Sequence, residues 1–296
     1  MLSVCIPVYN FDVRDLVDEL YRQAEELSIE YEIVCIDDHS DESFHLINQS
    51  VSDKARYIRL ESNVGRSRIR NIFLSHTQYA YLLFLDSDTL IKHKNFLSMY
   101  VDILYAKPAL ICGGKYWSKE FDKEHRLRYR YDRLCDCLDV EHRLARPRHN
   151  FTSVNFVIKR SILESVPFDE SLADLGHEDT LFNYYLFKRN ISITHIENSV
   201  VHVGCESNIV FVEKTEKSVA NLAMVYRKLK QDPDFAKMDS TIIAYSFCKR
   251  CGLLWLVKCF FAMFGNMLRK WFIGGFGNML LFRFYKLGLF IKAMST

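Results

Sequence analysis

The stretch Tyr81-Leu82-Leu83-Phe84-Leu85-Asp86-Ser87-Asp88 decides how this 296-residue chain is read. Its five leading apolar or aromatic side chains suit a parallel strand buried on both faces. Asp86 and Asp88 then stand where the strand leaves the core, the edge at which open α/β sheets bind ligands. An extended backbone points residues two apart the same way, so Asp86 and Asp88 are expected to converge with Ser87 turned aside. Two such carboxylates attract a hard divalent cation, and magnesium or manganese with a phosphate-bearing ligand is the natural guest. Taken alone, an Asp-x-Asp reads better as a solvated turn capping the helix that follows.

The flanking sequence supports the strand. Leu2 to Val8 is a β-branched apolar run that reads as a first buried strand, followed by a loop at Tyr9-Asn10. Leu16, Val17, Leu20, Ala24 and Leu27 mark one face of a helix. Tyr31 to Ile36 is a second strand, ending in Asp37-Asp38-His39-Ser40-Asp41. A short strand near Arg56 to Leu60 and a helix over Arg66 to His76 complete an alternation that implies a mostly parallel sheet flanked by helices. Three strand ends, at Tyr9, Asp38 and Asp86, are thereby expected at one crevice. Neither Gly-x-Gly-x-x-Gly nor a Gly-Lys-Ser/Thr loop follows the first strand, so no dinucleotide fingerprint or phosphate loop is present. Asn63-Val64-Gly65-Arg66 through Arg70-Asn71 instead places a glycine at a helix start and arginines in its first turns. Backbone amides and guanidinium groups there suit a diphosphate, although a solvent-facing basic helix has the same pattern.

Further on, Lys92 to Ala106 reads as a helix and Ala109 to Gly114 as a strand. Lys119 to His149 is crowded with charge and reads as a flap or as a solvated helix pair. Thr152 to Lys159 is a predicted strand. Glu178 and Asp179 open a helix over Thr180 to Arg189, where they serve as dipole-matching caps or supply a general base. Ser192 to Val203 reads as an edge strand whose alternation sets His195 and His202 on opposite faces.

The formal net charge of +2 conceals an asymmetry: no acidic residue follows Asp239, while eight basic residues do, so the preceding part is net acidic. That distribution is unlike a nucleic-acid binder and suits contact with an anionic membrane. The scattered nine cysteines and a start that runs straight into a strand predict a cytoplasmic protein with reduced thiols. Cys135-x-Cys137 and Cys248-x-x-Cys251 are too far apart in the chain and too unlike in context to suggest a zinc site.

In order and spacing, Ser3-Val-Cys-Ile-Pro-Val-Tyr-Asn10, Ile36-Asp-Asp-His-Ser40, Asn63-x-Gly65 with Arg70-Asn71, Asp86-Ser-Asp88, Asn155 with Phe168-Asp-Glu170, and Gly176-His-Glu-Asp179 resemble the family 2 glycosyltransferases, inverting enzymes of the GT-A (Rossmann-like) fold. The resemblance spans roughly residues 2 to 204 and implies a nucleotide-sugar donor, usually a uridine diphosphate sugar. It implies that Pro7, Val8 and Tyr9 border the base and ribose and that Asp38 accepts a hydrogen bond from the base. Gly65, Arg66, Arg70 and Ser87 join the donor set. Asp86 approaches the ribose or metal, Asp88 binds Mn2+ or Mg2+, and His202 matches a histidine that some GT-A enzymes add to the metal. Asp179 matches the base, with Glu178 beside it able to raise its pKa by like-charge repulsion. Where the family often has Gly and Ala, this chain has His39 and Ile69.

Leu253 to Met267 and Trp271 to Ile291 are apolar stretches interrupted by basic residues. They predict amphipathic helices in a tail over 241–296, appended to a catalytic domain over 1–240 and lying in the membrane interface or packed on the domain or a second copy. The composite expectation is a glycosyltransferase at the inner face of the membrane, building a surface polysaccharide or glycolipid on a saccharide or lipid-linked acceptor. A non-catalytic sugar-nucleotide or scaffold protein and a nucleotidyltransferase are the rival readings; the second wants a glycine-rich basic loop where Pro7-Val8-Tyr9-Asn10 stands.

Overall fold

The computed structural model describes residues 1–117, 121–146, 150–172 and 176–295. Parts of the charged stretch, at 119–120 and 147–149, lie outside the described residues, as does Leu175. The chain forms two compact units: Met1–Ser118, Asp136–Asp174 and Tyr185–Gly204 make the first; Lys119–Cys135, Leu175–Tyr184 and Cys205–Thr296 make the second. The boundary expected at residue 240 thus falls inside the second unit.

In the first unit, β1 (Leu2–Val8), α1 (Arg14–Glu25), β2 (Tyr31–Asp37), α2 (Glu42–Asn48), β3 (Arg56–Arg59), α3 (Gly65–His76) and β4 (Tyr81–Leu85) alternate as expected. β1 runs parallel to β2 on one side, Val8 opposite Asp37, and parallel to β4 on the other, Cys5 opposite Phe84. Both neighbours bury β1, which explains its unbroken apolar run. Val4, Ile6, Leu83 and Leu85 pack with Leu16, Val17 and Leu20 of α1 in one core. Parallel pairing brings the carboxyl ends of β1, β2 and β4 to one edge, so Tyr9, Asp38 and Asp86 emerge there.

β5 (Thr89–Leu90), α4 (Phe96–Leu104), β6 (Leu110–Cys112), β7 (Lys115–Tyr116) and, beyond α5 (Arg126–Cys135) of the second unit, α6 (Val140–Ala145), β8 (Asn155–Lys159) and α7 (Arg160–Ser165) follow. After α8 (Glu178–Lys188) come β9 (Ile193–His195) and β10 (Val200–His202). The seven-stranded sheet has the order β3-β2-β1-β4-β8-β6-β9, with β8 antiparallel to both its neighbours. The edge strand expected over 192–203 is instead two strands in two sheets, because β10 joins β5 and β7 in a small sheet of its own. Between them Asn198 leaves the ladder: its carbonyl accepts from Asn155 Nδ2 at 2.8 Å and its side chain donates to the Phe96 carbonyl at 2.9 Å. Alternation along one strand therefore does not relate His195 to His202.

The second unit is helical. α9 (Asn208–Lys228), α10 (Pro233–Ala236), α11 (Ser240–Arg250), α12 (Leu254–Ile273) and α13 (Met279–Ser295) follow one another, and α5 joins them. Leu127 of α5, Phe211 and Val212 of α9, Leu268 and Phe272 of α12, and Phe282 and Tyr285 of α13 form its core. Lys286, expected to break an interfacial stretch, is buried and donates to Tyr131 Oη at 2.8 Å while lying 5.0 Å over that ring. α13 is thus largely an interior helix, whereas α12 runs unbroken through Arg269 and Lys270. No helix among the described residues is long and apolar enough to cross a membrane.

Candidate active site

β1 ends at Val8, whose side chain is buried in the core and whose carbonyl accepts the Asp38 amide at 2.8 Å. The Val8 side chain thus lies in the core and not at the rim. Pro7 is half-buried and Tyr9 is exposed, leaving those two side chains at the rim.

Asp38, just past β2, is buried, and both its oxygens are used: the amides of Val64 and Gly65 donate to them at 2.7 and 3.0 Å. It caps the start of α3 from a distant strand end. The Gly65 amide, expected to face a diphosphate, is therefore directed to Asp38. Burial pushes the Asp38 carboxyl above its usual range, against the pull of those two amides. Its neighbour Asp37, to which sequence reasoning gave no role, is wholly buried and accepts from Ser40 N at 2.8 Å and from the Tyr57 hydroxyl. His39 has φ 63°, left-handed backbone, which is the physical reason glycine suits that position.

Arg70 was expected to receive phosphate. Instead it is 2% exposed, donates from Nη2 to Asp86 Oδ1 at 2.8 Å and from Nη1 to the Arg66 carbonyl at 3.0 Å, and stacks over Phe168. Its helix position explains this, for Arg70 shares the buried face of α3 with Ser67 and Phe73. Arg66 is exposed.

Asp86 and Asp88 take different partners. Ser87 and Asp88 lie in a turn, so period-two alternation ends at Leu85. Asp86 goes to Arg70, while Asp88 Oδ2 meets His202 Nε2 at 3.1 Å. Burial alone would raise the Asp88 carboxyl; the hydrogen bond and charge of His202, with Arg66 and Lys115 nearby, outweigh it and hold Asp88 below its usual range. Two ligands set at right angles on a small dication, with bonds of roughly 2.1 Å, stand about 3 Å apart, so Asp88 and His202 fit as neighbouring ligands. Among the described residues no group of three or more His, Cys, Asp or Glu side chains is gathered for a metal. Asp86, expected to approach the ribose or the cation, has one oxygen bound to Arg70.

Three neighbours of this pair carried no signal in the sequence. The Trp117 ring packs nearly perpendicular to His202, centroids 4.7 Å apart. Gly204 brings its backbone so near that a Cβ there would lie 3.0 Å from Asp88 Oδ2. Lys115 is buried at the end of the Gly113-Gly114 turn, 3.7 Å from Asp136. Behind that turn, Arg143, read as solvated charge, is buried and donates to the carbonyls of Cys112, Gly113 and Ile196. Asn155 donates to the Gly114 carbonyl at 3.0 Å and accepts from Tyr100 Oη at 2.6 Å.

In the second unit, Gly176 (φ 90°) and His177 (φ 71°) make a left-handed entry to α8. A Cβ on Gly176 would lie 2.6 Å from Ser218 Oγ, so the turn also needs its small size. Glu178 is buried and Asp179 is half-buried, with Oδ1 accepting from the Thr180 amide at 2.7 Å. Both occupy the first turn of the helix, where negative charge is favoured.

The sequence profile described as Glycosyl transferase family 2 matches residues 3–166. An uncharacterized glycosyltransferase of Haemophilus influenzae is 36% identical over 90 residues, 30% of this chain and 29% of that protein. Poly(ribitol-phosphate) beta-glucosyltransferase of Bacillus spizizenii is 32% identical over 105 residues, 33% of this chain and 16% of that protein. The match therefore spans less than a third of either relative. Among solved structures, mannosyltransferase PcManGT of Pyrobaculum calidifontis, in complex with GDP-Man and Mn2+, superposes with a TM-score of 0.57 at 16% identity, covering 99% of this chain and 85% of that one. TarS of S. aureus in complex with UDP gives 0.54 at 15% identity over 99% and 90%. Glucosyl-3-phosphoglycerate synthase of Mycobacterium tuberculosis, with Mn2+, UDP and glucosyl-3-phosphoglycerate, gives 0.52 at 16% identity over 77% and 79%. At such identities the likeness is one of fold. The sheet order, the polar strand ends and a profile match over more than half the sequence agree: the chain belongs to glycosyl transferase family 2.

Proposed function

We propose that this protein is a metal-dependent, inverting glycosyltransferase that moves a sugar from a nucleoside diphosphate donor, a UDP-sugar, to a hydroxyl of a saccharide or lipid-linked saccharide in surface polysaccharide or glycolipid synthesis. The observation that carries the reading is the Asp88–His202 pair at the carboxyl edge of a parallel sheet in a family 2 chain. Asp88 and His202 hold Mn2+ or Mg2+, which when bound offsets the charge gathering on the departing diphosphate. Arg66 and Lys115, whose charges reach Asp88, add positive potential for the same phosphates. Tyr9 and Pro7 frame the base, Asp38 fixes the loop beneath it, and Asp86, oriented by Arg70, faces the ribose. Asp179 takes the proton of the acceptor hydroxyl; that oxygen bonds to the anomeric carbon from the face opposite the diphosphate, whose carbon–oxygen bond breaks. Glu178 stands beside Asp179 in the same helical turn and keeps its environment acidic.

The test is a screen of nucleotide-sugar binding and hydrolysis with Mn2+ or Mg2+, comparing wild type with Asp88→Ala and Asp179→Asn. Metal-dependent binding of one donor, lost in Asp88→Ala and kept without turnover in Asp179→Asn, is the expected outcome. Binding of a donor with no turnover by wild type on any saccharide would favour the non-catalytic sugar-nucleotide protein. Absence of binding with either metal would sink the proposal.

A further inference from the structure

α12 carries two apolar stripes. Phe261, Gly265, Leu268 and Phe272 face inward, toward α9 and α13. On the other side, Leu256, Phe260, Met263, Met267 and Trp271 recur at helical spacing, and every one of them is exposed, Met263 by 72%. A helix apolar on both sides is normally covered on both, and a contiguous apolar strip of this kind marks an interaction surface.

Charge decides what covers it. The charged residues of α12 are Lys258, Arg269 and Lys270; Arg269 is bound to Glu216 at 2.8 Å, Lys258 is exposed but falls at helical spacing on the side away from the stripe, and Lys270 is exposed next to Met263 and Met267. Lys249 and Arg250, exposed at the end of α11, add to the positive surface of a segment that has no carboxylate after Asp239. A second copy meeting this stripe across a two-fold axis would set like against like, with no acid from α11, α12 or α13 to pair with those lysines. A phospholipid surface supplies both complements at once, acyl chains for the stripe and phosphate for the cations. We infer that the outward stripe of α12 docks on an anionic bilayer, the helix lying in the plane of the interface. Trp271 closes the stripe at its C-terminal end with a ring suited to the headgroup level. This surface is independent of the donor site, and it would hold the protein where a lipid-linked acceptor is found.

The experiment uses the full chain with sedimented vesicles of phosphatidylcholine alone or mixed with phosphatidylglycerol, alongside Met263→Glu and Lys270→Glu. Both positions are exposed, and unchanged melting temperatures establish that the variants fold. Wild type is expected to partition to the mixed vesicles at least about tenfold more than to the neutral ones. Its tryptophan emission should shift to the blue and be quenched by brominated acyl chains. Met263→Glu should lose about tenfold or more in partitioning, and Lys270→Glu should lose the preference for anionic lipid. Failure of wild type to bind mixed vesicles at low salt overturns the inference, as does binding by Met263→Glu at the wild-type level. A dimer in sedimentation equilibrium that Met263→Glu dissociates, without vesicle binding, would assign the stripe to a second copy and equally overturn it.

Discussion

The His202 Nε2 atom lies 3.1 Å from Asp88 Oδ2, joining the turn after β4 to the end of β10. The Val203 amide donates to the Asp88 carbonyl at 2.9 Å, so backbone and side chain fasten the same two segments. Replacement of His202 by Asn is expected to weaken Mn2+-supported UDP binding by about ten- to a hundredfold, the range found when partners around a metal are removed. Calorimetric titration of the metal with the nucleotide checks this; unaltered affinity would remove His202 from the proposed ligands.

Arg70 and Asp86 form a pair with one guanidinium 2% exposed. Arg70→Met leaves the carboxylate against an apolar wall and should cost about 3 kcal/mol. The double variant Arg70→Met with Asp86→Asn should recover part of that loss. Chemical denaturation of the four proteins measures the coupling; additive effects would show that the pair is energetically inert.

Gly113 sits where a Cβ would come 2.1 Å from Tyr100 Oη and 2.5 Å from Asn155 Nδ2. Gly113→Ala must therefore displace the buried Tyr100–Asn155–Gly114 hydrogen bonds and should lower the melting temperature sharply. Tyr100→Phe, which leaves Asn155 Oδ1 without its donor, should cost a milder 1–3 kcal/mol, roughly. Reversal of that ranking in thermal melts would contradict the packing described.

Asp239 caps α11, accepting from the Thr241 and Ile242 amides at 2.6 and 3.3 Å. Burial alone would raise its carboxyl, but the charges of Lys286 and His177 and the Thr241 amide hold it below the ordinary value. A carboxyl depressed in the folded state contributes stability that is fully present above its unfolded pKa, about 3.9. That contribution disappears as pH falls through the folded value. Wild type should lose stability on acidification below about pH 4, and Asp239→Asn, which keeps the cap but not the charge, should show a shallower acid limb. Melting temperature against pH tests it; superimposable limbs would rule Asp239 out as a source.

The parallel half of the sheet was legible because its strands are buried on both faces and so are written as unbroken apolar runs, β4 above all. Asp38 and Asp88 stood out for the same reason, as polar residues just past the end of such runs. The arginines were misread because composition does not say which way a charge points. For Arg70 the signal existed: Ser67 and Phe73, three residues to either side, set the inward face of α3. For Arg143 there was none, since its partners are carbonyls of Cys112, Gly113 and Ile196, distant in the chain and invisible to local pattern. Likewise the break between β9 and β10 depends on Asn155 and Asn198 satisfying each other's surroundings, which periodicity does not encode.

The Asp38 carboxylate, by taking the Val64 and Gly65 amides, ties the end of β2 to the start of α3. Those two amides should be among the slowest in their loop to exchange with solvent deuterium. If the proposed donor binds at this edge, it meets a rim held by these two bonds, and less ordering entropy is left for binding to overcome.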